Sequence, residues 1–265
     1  MIQGSPKIVL VGTGRIAWSL GKRLKSKGLP IAQVFGRNSE QAAALGQALN
    51  CEWCTDPAAL LEEARWLIMA VSDDAIGVVA DQLSDYVSEN TLVTHTSGAT
   101  PGDILSQYFQ RYGVFYPLQS FTKERQPVWS KIPFCVDACV PEEVLFLRKM
   151  AKIIGNLVYQ VNDAQRAVLH VAAVFANNFA NHCFSIAEKI LDEADLPFEL
   201  LHPLMEETIA KAVADSPSKM QTGPAVRGDF ETLQRHIRLL EGNEAWQGIY
   251  KAMSEDIQGV KRKEE

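Results

Sequence analysis

Lys7-Ile8-Val9-Leu10-Val11-Gly12-Thr13-Gly14-Arg15-Ile16-Ala17 reads as a strand that breaks into a glycine turn and restarts as a helix. The unbroken apolar run is the signature of a parallel strand buried on both faces. Gly12 suits the sharp turn, Gly14 leaves no Cβ in the way of a pyrophosphate, and Ala17 lets the new helix pack on the strand. The first N–H groups of that helix have no internal partner and attract an anion. The order strand, turn, helix implies a dinucleotide seated over Gly12, Thr13, Gly14, Arg15, Ile16 and Ala17. The competing reading is a tight strand-to-helix turn with no ligand.

The next strand, Ile31-Ala32-Gln33-Val34-Phe35, ends in Gly36-Arg37-Asn38-Ser39. Binders of NAD place a carboxylate here for the ribose 2′-hydroxyl. This stretch offers a guanidinium, an amide and a hydroxyl instead, which suit a 2′-phosphate. The expected cofactor is therefore NADP(H), with Arg37, Asn38 and Ser39 around the phosphate. Arg37 as a solvated charge, with Asn38 and Ser39 capping the next helix, is the alternative.

At 265 residues the chain can bury a large core and stands near the length at which one core becomes two. A net charge of −6 argues against nucleic acid or an anionic membrane as partner. No leader-like start and no spanning apolar run is present, so a cytoplasmic protein is expected. Cys51-Glu52-Trp53-Cys54 has redox or zinc spacing, but it has no second pair and falls on a short strand, so these thiols read as small hydrophobes and no metal is expected.

Strands and helices alternate up to Val161, which predicts an α/β domain with a doubly wound, mostly parallel sheet over 1–161. Helices are expected over 14–27, 39–49, 57–63, from Asp74, and over 141–154, with further strands at 50–54, 66–71, 91–95, 113–116, 134–137 and 156–159. Thr100-Pro101-Gly102-Asp103 has the order of a helix start with Thr as the cap. The long connection 117–133 is expected to border the active site. From 162 to 265 no strand pattern survives, which predicts an all-α domain. Its first helix, 163–191, is apolar on nearly every face, should be buried on most sides, and implies a homodimer built from these helices. Residues 261–265 are expected to fray.

Ligands of open α/β sheets lie beyond the carboxyl ends of the strands. That rule selects Val71-Ser72-Asp73-Asp74, placed to touch the ribose side of the cofactor, with Asp74 as a simple helix cap the alternative. It also selects His95-Thr96-Ser97-Gly98 near the nicotinamide, where His95 is either a proton donor or a histidine bonded to its own loop. Tyr116-Pro117-Leu118-Gln119-Ser120-Phe121 is either a pocket wall or a turn. On the long helix His170, Asn177 and Asn181 fall within about 20° of one line at 100° per residue, and Asn178 stands about 80° aside. Such a line is either a substrate-facing strip or a hydrogen-bonded seam. Thr222-Gly223-Pro224-Ala225-Val226-Arg227-Gly228-Asp229 presents Arg227 as a carboxylate or phosphate clamp, or as half of an Arg–Asp brace.

Taken together, the glycine turn, Arg37-Asn38-Ser39, His95-Thr96-Ser97-Gly98, 116–121 and Thr-Gly-Pro-x-x-Arg-Gly-Asp at 222–229 give the whole chain a family likeness. It resembles NADP oxidoreductases that pair a Rossmann-like domain with a helical domain of unassigned function. These are relatives of pyrroline-carboxylate reductase and, more distantly, of the 6-phosphogluconate and β-hydroxyacid dehydrogenases. The resemblance implies a dimer with interlocked helical domains, an active site in the cleft between domains, and His170 and Asn178 as the family's His-(x)7-Asn. The β-hydroxyacid dehydrogenases carry a lysine four residues before an asparagine on this helix; here that residue is Val174, so the lysine mechanism is not carried over. The expected reaction is hydride transfer between NADP(H) and a small C=N or C=O compound. His170 or His95 would supply the proton, and Asn178 and Arg227 would orient the substrate. A non-catalytic NADP-binding sensor or scaffold shares the cofactor argument and remains open on sequence alone.

Overall fold

The structure, a computed structural model, describes residues 6–122, 125 and 127–264. The chain forms two compact units, Met1–Asn177 and Asn178–Glu265.

The first unit is built on one eight-stranded sheet. Its strands are β1 (Ile8–Val11), β2 (Ile31–Phe35), β3 (Glu52–Cys54), β4 (Trp66–Met69), β5 (Leu92–His95), β6 (Tyr112–Pro117), β7 (Pro133–Ala138) and β8 (Leu157–Gln160). They lie in the order β3-β2-β1-β4-β5-β6-β7-β8. Every neighbouring pair is parallel except β6 and β7, which meet antiparallel with Phe115 opposite Val136. The chain leaves β1 in one direction along the sheet and returns to β4 on the other side, which puts the topological switch point between β1 and β4.

Alternate side chains of each strand feed two separate cores. Ile8, Leu10, Trp66, Ile68, Phe115 and Phe134 pack under α1 (Arg15–Ser26), α2 (Ser39–Leu49) and, once it has formed, the helix at Pro141–Ile154. Val9, Val11, Leu67, Met69 and Val93 pack on the other face against α3 (Ile76–Leu83) and the turn at Gly102–Leu105. The helix Pro141–Ile154 is α4, opened by Pro141 in the first turn. At the amino end of the sheet α4 carries a fully buried Glu143, which receives Arg65 Nη2 at 2.7 and 2.9 Å and pairs with Arg111 at 3.2 Å. α5 (Asp163–Ala173) starts from a complete capping box of Asn162 and Gln165.

Four local expectations need correction. Residues 57–63 hold only a single 3₁₀ turn, Pro57–Ala59, capped by Asp56, so the helix is shorter than its composition suggests. The helix expected from Asp74 begins at Ile76, after a 3₁₀ turn at Asp73–Ala75. Thr100 is not a helix cap. The Gly102–Leu105 turn follows Pro101, and the Gly102 N–H donates instead to Asp163 at 2.9 Å, a cap supplied from 61 residues away. The helix at 163–191 is not one regular α-helix: Val174–Phe179 is π-helical. Of the long connection, Lys123, Glu124 and Gln126 lie outside the described residues.

The second unit contains α6 (Ala180–Asp192), α7 (His202–Ala214), α8 (Pro224–Arg227), α9 (Phe230–Leu239) and α10 (Glu244–Glu264). The backbone is thus helical through residue 264, beyond the expected frayed start at 261, and Glu265 lies outside the described residues. α9 opens on Asp229, which accepts from the Thr232 N–H, and is tied to α10 by the His236 Nδ1–Tyr250 Oη contact at 2.7 Å. Among the described residues of this unit, Ala225 and Leu233 are the buried apolar side chains, while Leu204, Ile209, Val213 and Leu239 are exposed. The expectation that helix 163–191 is covered on most sides is not met within one chain: Val168 and Val171 are exposed too. No described helix is long and apolar enough to cross a membrane.

Candidate functional site

A cavity of about 660 Å³ opens over the carboxyl ends of β1, β2 and β4, at the switch point. The two glycines of the first turn serve it differently. Gly12 has φ +106°, and an added Cβ would lie 2.4 Å from the Ala70 carbonyl oxygen, so the fold itself demands glycine there. Gly14 has ordinary φ, and its added Cβ would meet nothing nearer than Ala70 O at 4.0 Å. Its bareness leaves open space on the cavity wall, as close approach of a ligand requires. α1 starts at Gly14 with no capping side chain and no acid in its first turn, so its N–H groups face the cavity unneutralised.

Across the crevice, β2 delivers Gly36, Arg37 and Asn38 to the same wall. Asn38 also caps α2 by accepting from the Gln41 N–H at 2.9 Å. Gln41 in turn accepts from the Thr13 hydroxyl at 2.9 Å, which links the glycine turn to the start of α2. The wall continues through Val71 and Ser72 after β4, Ala75 just before α3, Val78, Val79 and Gln82 on α3, and Gln119 and Phe121 after β6. Among the described residues the lining contains two arginines, Arg15 and Arg37, and no carboxylate, in a chain of net charge −6. That electrostatic choice suits a phosphorylated dinucleotide. An apolar slot along α3 beside a guanidinium suits its base, and the uncapped helix suits its pyrophosphate.

Of the residues expected at the cofactor, Gly12, Thr13, Gly14, Arg15, Ile16, Arg37, Asn38, Val71 and Ser72 line this cavity. Ala17 is fully buried in the core beneath it and acts through helix packing. Ser39 is exposed as the first residue of α2, and Asp74 is exposed inside the 3₁₀ turn, both off the cavity wall. Gln41 and the α3 residues carry no signal of their own in the sequence; it is the fold that leaves the apolar Val78 exposed on the cavity wall.

Thr96, Ser97 and Gly98 lie buried beyond β5. The Ser97 hydroxyl donates to Thr100 Oγ1 at 3.0 Å and accepts from the N–H groups of Ala99 and Thr100, closing a tight turn. His95 is fully buried. Its Nδ1 accepts from the Ser97 N–H at 3.2 Å, so the hydrogen sits on Nε2, which donates to the Pro101 carbonyl oxygen at 3.2 Å. Burial and the nearby Arg166 charge push its pKa down to about 4, against the Pro101 bond and the charges of Asp163 and Asp73.

α5 holds this turn from outside. Arg166, 1% exposed, donates to the Thr100 carbonyl oxygen at 2.6 Å and pairs with Asp163 at 2.7 Å. One turn further along α5, His170 reaches Gly98. A Cβ on Gly98 would stand 2.7 Å from His170 Nδ1 and 2.8 Å from Tyr116 Oη, so only glycine lets both rings close over this backbone. The two rings meet edge to face, with centroids 6.5 Å apart. His170 Nδ1 is buried and has no hydrogen-bond partner among the described residues.

The line drawn through His170, Asn177 and Asn181 assumes 100° per residue, and the π-helical turn at Val174–Phe179 breaks that spacing. Asn178 lies in this turn and is exposed. In the second unit Arg227 ends α8 and is exposed. Gly223 (φ +111°) and Gly228 (φ +68°) shape its loop. The two Thr232 hydrogen bonds, with the Arg227 charge behind them, hold Asp229 below its usual range. Among the described residues no group of three His, Cys, Asp or Glu side chains is placed to hold a metal. All five cysteines are free, and burial pushes Cys51 up to about 11.

Two family profiles match the chain: NADP oxidoreductase coenzyme F420-dependent over residues 7–98, and a domain of unknown function, DUF2520, over residues 132–257. No curated protein matches it. A structure from Bacteroides fragilis, provisionally named an NADP oxidoreductase, is 36% identical, with 96% of this chain and 98% of that chain covered and a TM-score of 0.90. A reductive aminase from Aspergillus terreus, solved with NADPH and ethyl levulinate, is 14% identical over 98% of this chain and 94% of that one, with a TM-score of 0.69. A pyrroline-5-carboxylate reductase from Coxiella burnetii is 15% identical, covers 98% of each chain and has a TM-score of 0.60. At those lower identities the likeness is one of fold. The first relationship is close and spans both chains, and with the two profiles it shows that this chain belongs to the NADP oxidoreductases that join a coenzyme F420-dependent-type NADP domain to a DUF2520 domain.

Proposed function

We propose that the chain is an NADPH-dependent reductase that delivers a hydride to the carbon of a small C=N or C=O compound. The observation that carries this reading is the composition of the switch-point cavity: an uncapped helix start and, among the described residues, two arginines and no carboxylate. Arg37 and Asn38 would hold the 2′-phosphate and the α1 turn the pyrophosphate. Bound there, the cofactor supplies the hydride. The protein's own part is to fix the acceptor and to deliver a proton to its heteroatom.

Of the two histidines considered as donors, His170 fits better, because its Nδ1 is unengaged among the described residues while both nitrogens of His95 serve the loop backbone. Asn178 and Arg227 are proposed to orient the substrate. Residues 1–161 would carry the cofactor and 162–265 the substrate and dimer contacts. The scarcity of buried apolar side chains in the second unit supports a homodimer through its helices, because so small a core does not hold a helical unit alone. Free cysteines support a reducing compartment, the cytoplasm.

The test is NADPH oxidation in the presence of cyclic imines, of ketones with amines, and of 2-oxo acids. Turnover confined to one class names the substrate type. Tight NADPH binding without turnover of any class would replace the reductase by a cofactor-binding protein.

A further inference from the structure

Two helices of the first unit open on the same pattern, Asn38-Ser39-Glu40-Gln41 at α2 and Asn162-Asp163-Ala164-Gln165 at α5. At α5 it closes as a capping box: Asn162 Oδ1 accepts from the Gln165 N–H at 2.9 Å, and Gln165 Oε1 accepts from the Asn162 N–H at 3.1 Å. At α2 only the first half forms. Asn38 Oδ1 accepts from the Gln41 N–H at 2.9 Å, but Gln41 Oε1 turns to the Thr13 hydroxyl, 28 residues back, also at 2.9 Å. Gly36 makes room for this exchange, because a Cβ there would stand 2.9 Å from Thr13 Cγ2. The helix forgoes a bond to its own first turn, and both partners of the bond that replaces it line the switch-point cavity.

We propose that Gln41 is a specificity-determining residue for the cofactor, donating its Nε2 N–H groups to the ribose 2′-phosphate, and that Thr13 is the positioning residue that aims it. This rests on the NADPH reading above. With Oε1 engaged by the Thr13 hydroxyl, the free end of the amide is its donor end. A phosphate monoester presents three acceptor oxygens, and the guanidinium fork of Arg37 engages two of them at a time. Gln41 lies one helical turn beyond Asn38 on the same wall, where it supplies a neutral donor for the third. A plain ribose hydroxyl accepts less from such a set, so the contact favours the phosphorylated cofactor. A mere brace between the glycine turn and α2 would treat both cofactors alike.

Gln41 is exposed, so its variants should keep the wild-type melting temperature. The readout is the ratio of the NADH to the NADPH dissociation constant, with displacement of NADPH by 2′,5′-ADP as a second measure. Gln41→Met should lower the ratio about 10-fold, by weakening NADPH and 2′,5′-ADP while NADH stays within about twofold. Gln41→Glu keeps an acceptor for Thr13 but sets a carboxylate against the phosphate, so the ratio should fall about 50-fold or more. Thr13→Val should lower the ratio in the wild type and leave it unchanged in a Gln41→Met background. Equal losses for both cofactors in Gln41→Met reduce the contact to a brace, and no loss for either makes Gln41 a bystander. Either result overturns the assignment, while a wild-type preference for NADPH shows that the cofactor reading survives. A ratio untouched by Thr13→Val overturns the positioning role. A wild type that binds the two cofactors equally, or binds neither, overturns the 2′-phosphate reading, and the Gln41 assignment falls with it.

Discussion

Arg166 and Thr100 stand 66 residues apart, and the guanidinium donates to the carbonyl oxygen at 2.6 Å from a side chain that is 1% exposed. The bond fastens α5 to the loop that follows β5, and Asp163 completes it from the same helix turn. It fixes the α5 turn from which His170 approaches Gly98.

Arg166→Met should therefore lower stability by about 2–3 kcal/mol, the cost of leaving a buried carbonyl and a half-buried carboxylate without their cation. Denaturant unfolding measures it. A loss under about 0.5 kcal/mol would mean the joint is ornamental. The carboxylate side adds a pH signature. Burial opposes ionisation of Asp163, but bonds from Gly102, Arg166 and Asp103 outweigh it and hold its pKa below 3.8. Its contribution is present above the unfolded pKa and fades as pH falls through the lower folded value.

His95 gives a second pH dependence at a higher range. Its folded pKa of about 4 lies below its ordinary 6.5, so between those values the unfolded chain binds a proton that the folded one refuses. Stability from this group is full above pH 6.5 and falls as pH drops towards 4, by up to about 3 kcal/mol at 1.36 kcal/mol per unit. Melting curves of wild type and His95→Asn across that range should converge as pH falls. Parallel curves would contradict the assignment.

Gly12→Ala and Gly14→Ala should separate folding from binding. At Gly12 the positive φ and a carbonyl 2.4 Å from the new Cβ predict a loss of about 3 kcal/mol or more. At Gly14 the new methyl stands in open space, so stability should change by less than about 1 kcal/mol while NADPH affinity falls about tenfold or more. Unfolding curves paired with NADPH titrations check both. Equal destabilisation of the two variants would remove the distinction.

How much of this was legible beforehand follows from range in sequence. The strand Ile8–Val11 and its glycine turn carry their geometry locally, in apolar continuity and in two residues without Cβ, and the apolar run Trp66–Met69 does the same for β4. Thr100-Pro101 has the local chemistry of a helix start, while the carboxylate that caps Gly102 comes from Asp163, 61 residues away. Nothing local marks Arg166, because one charge on a helix says nothing of a carbonyl 66 residues away. The π-helical turn at Val174–Phe179 has no signature in composition, so a wheel drawn at 100° per residue misplaces whatever follows it.

Arg37 faces a cavity that has no carboxylate among its described lining residues, and on the proposed reading it selects a 2′-phosphate. Equilibrium titration of the protein with NADPH and with NADH tests it most directly. A charge-assisted guanidinium–phosphate contact predicts NADPH tighter by about 10- to 100-fold, with the difference lost in Arg37→Ala. Equal affinity of the wild-type protein for the two cofactors would contradict it.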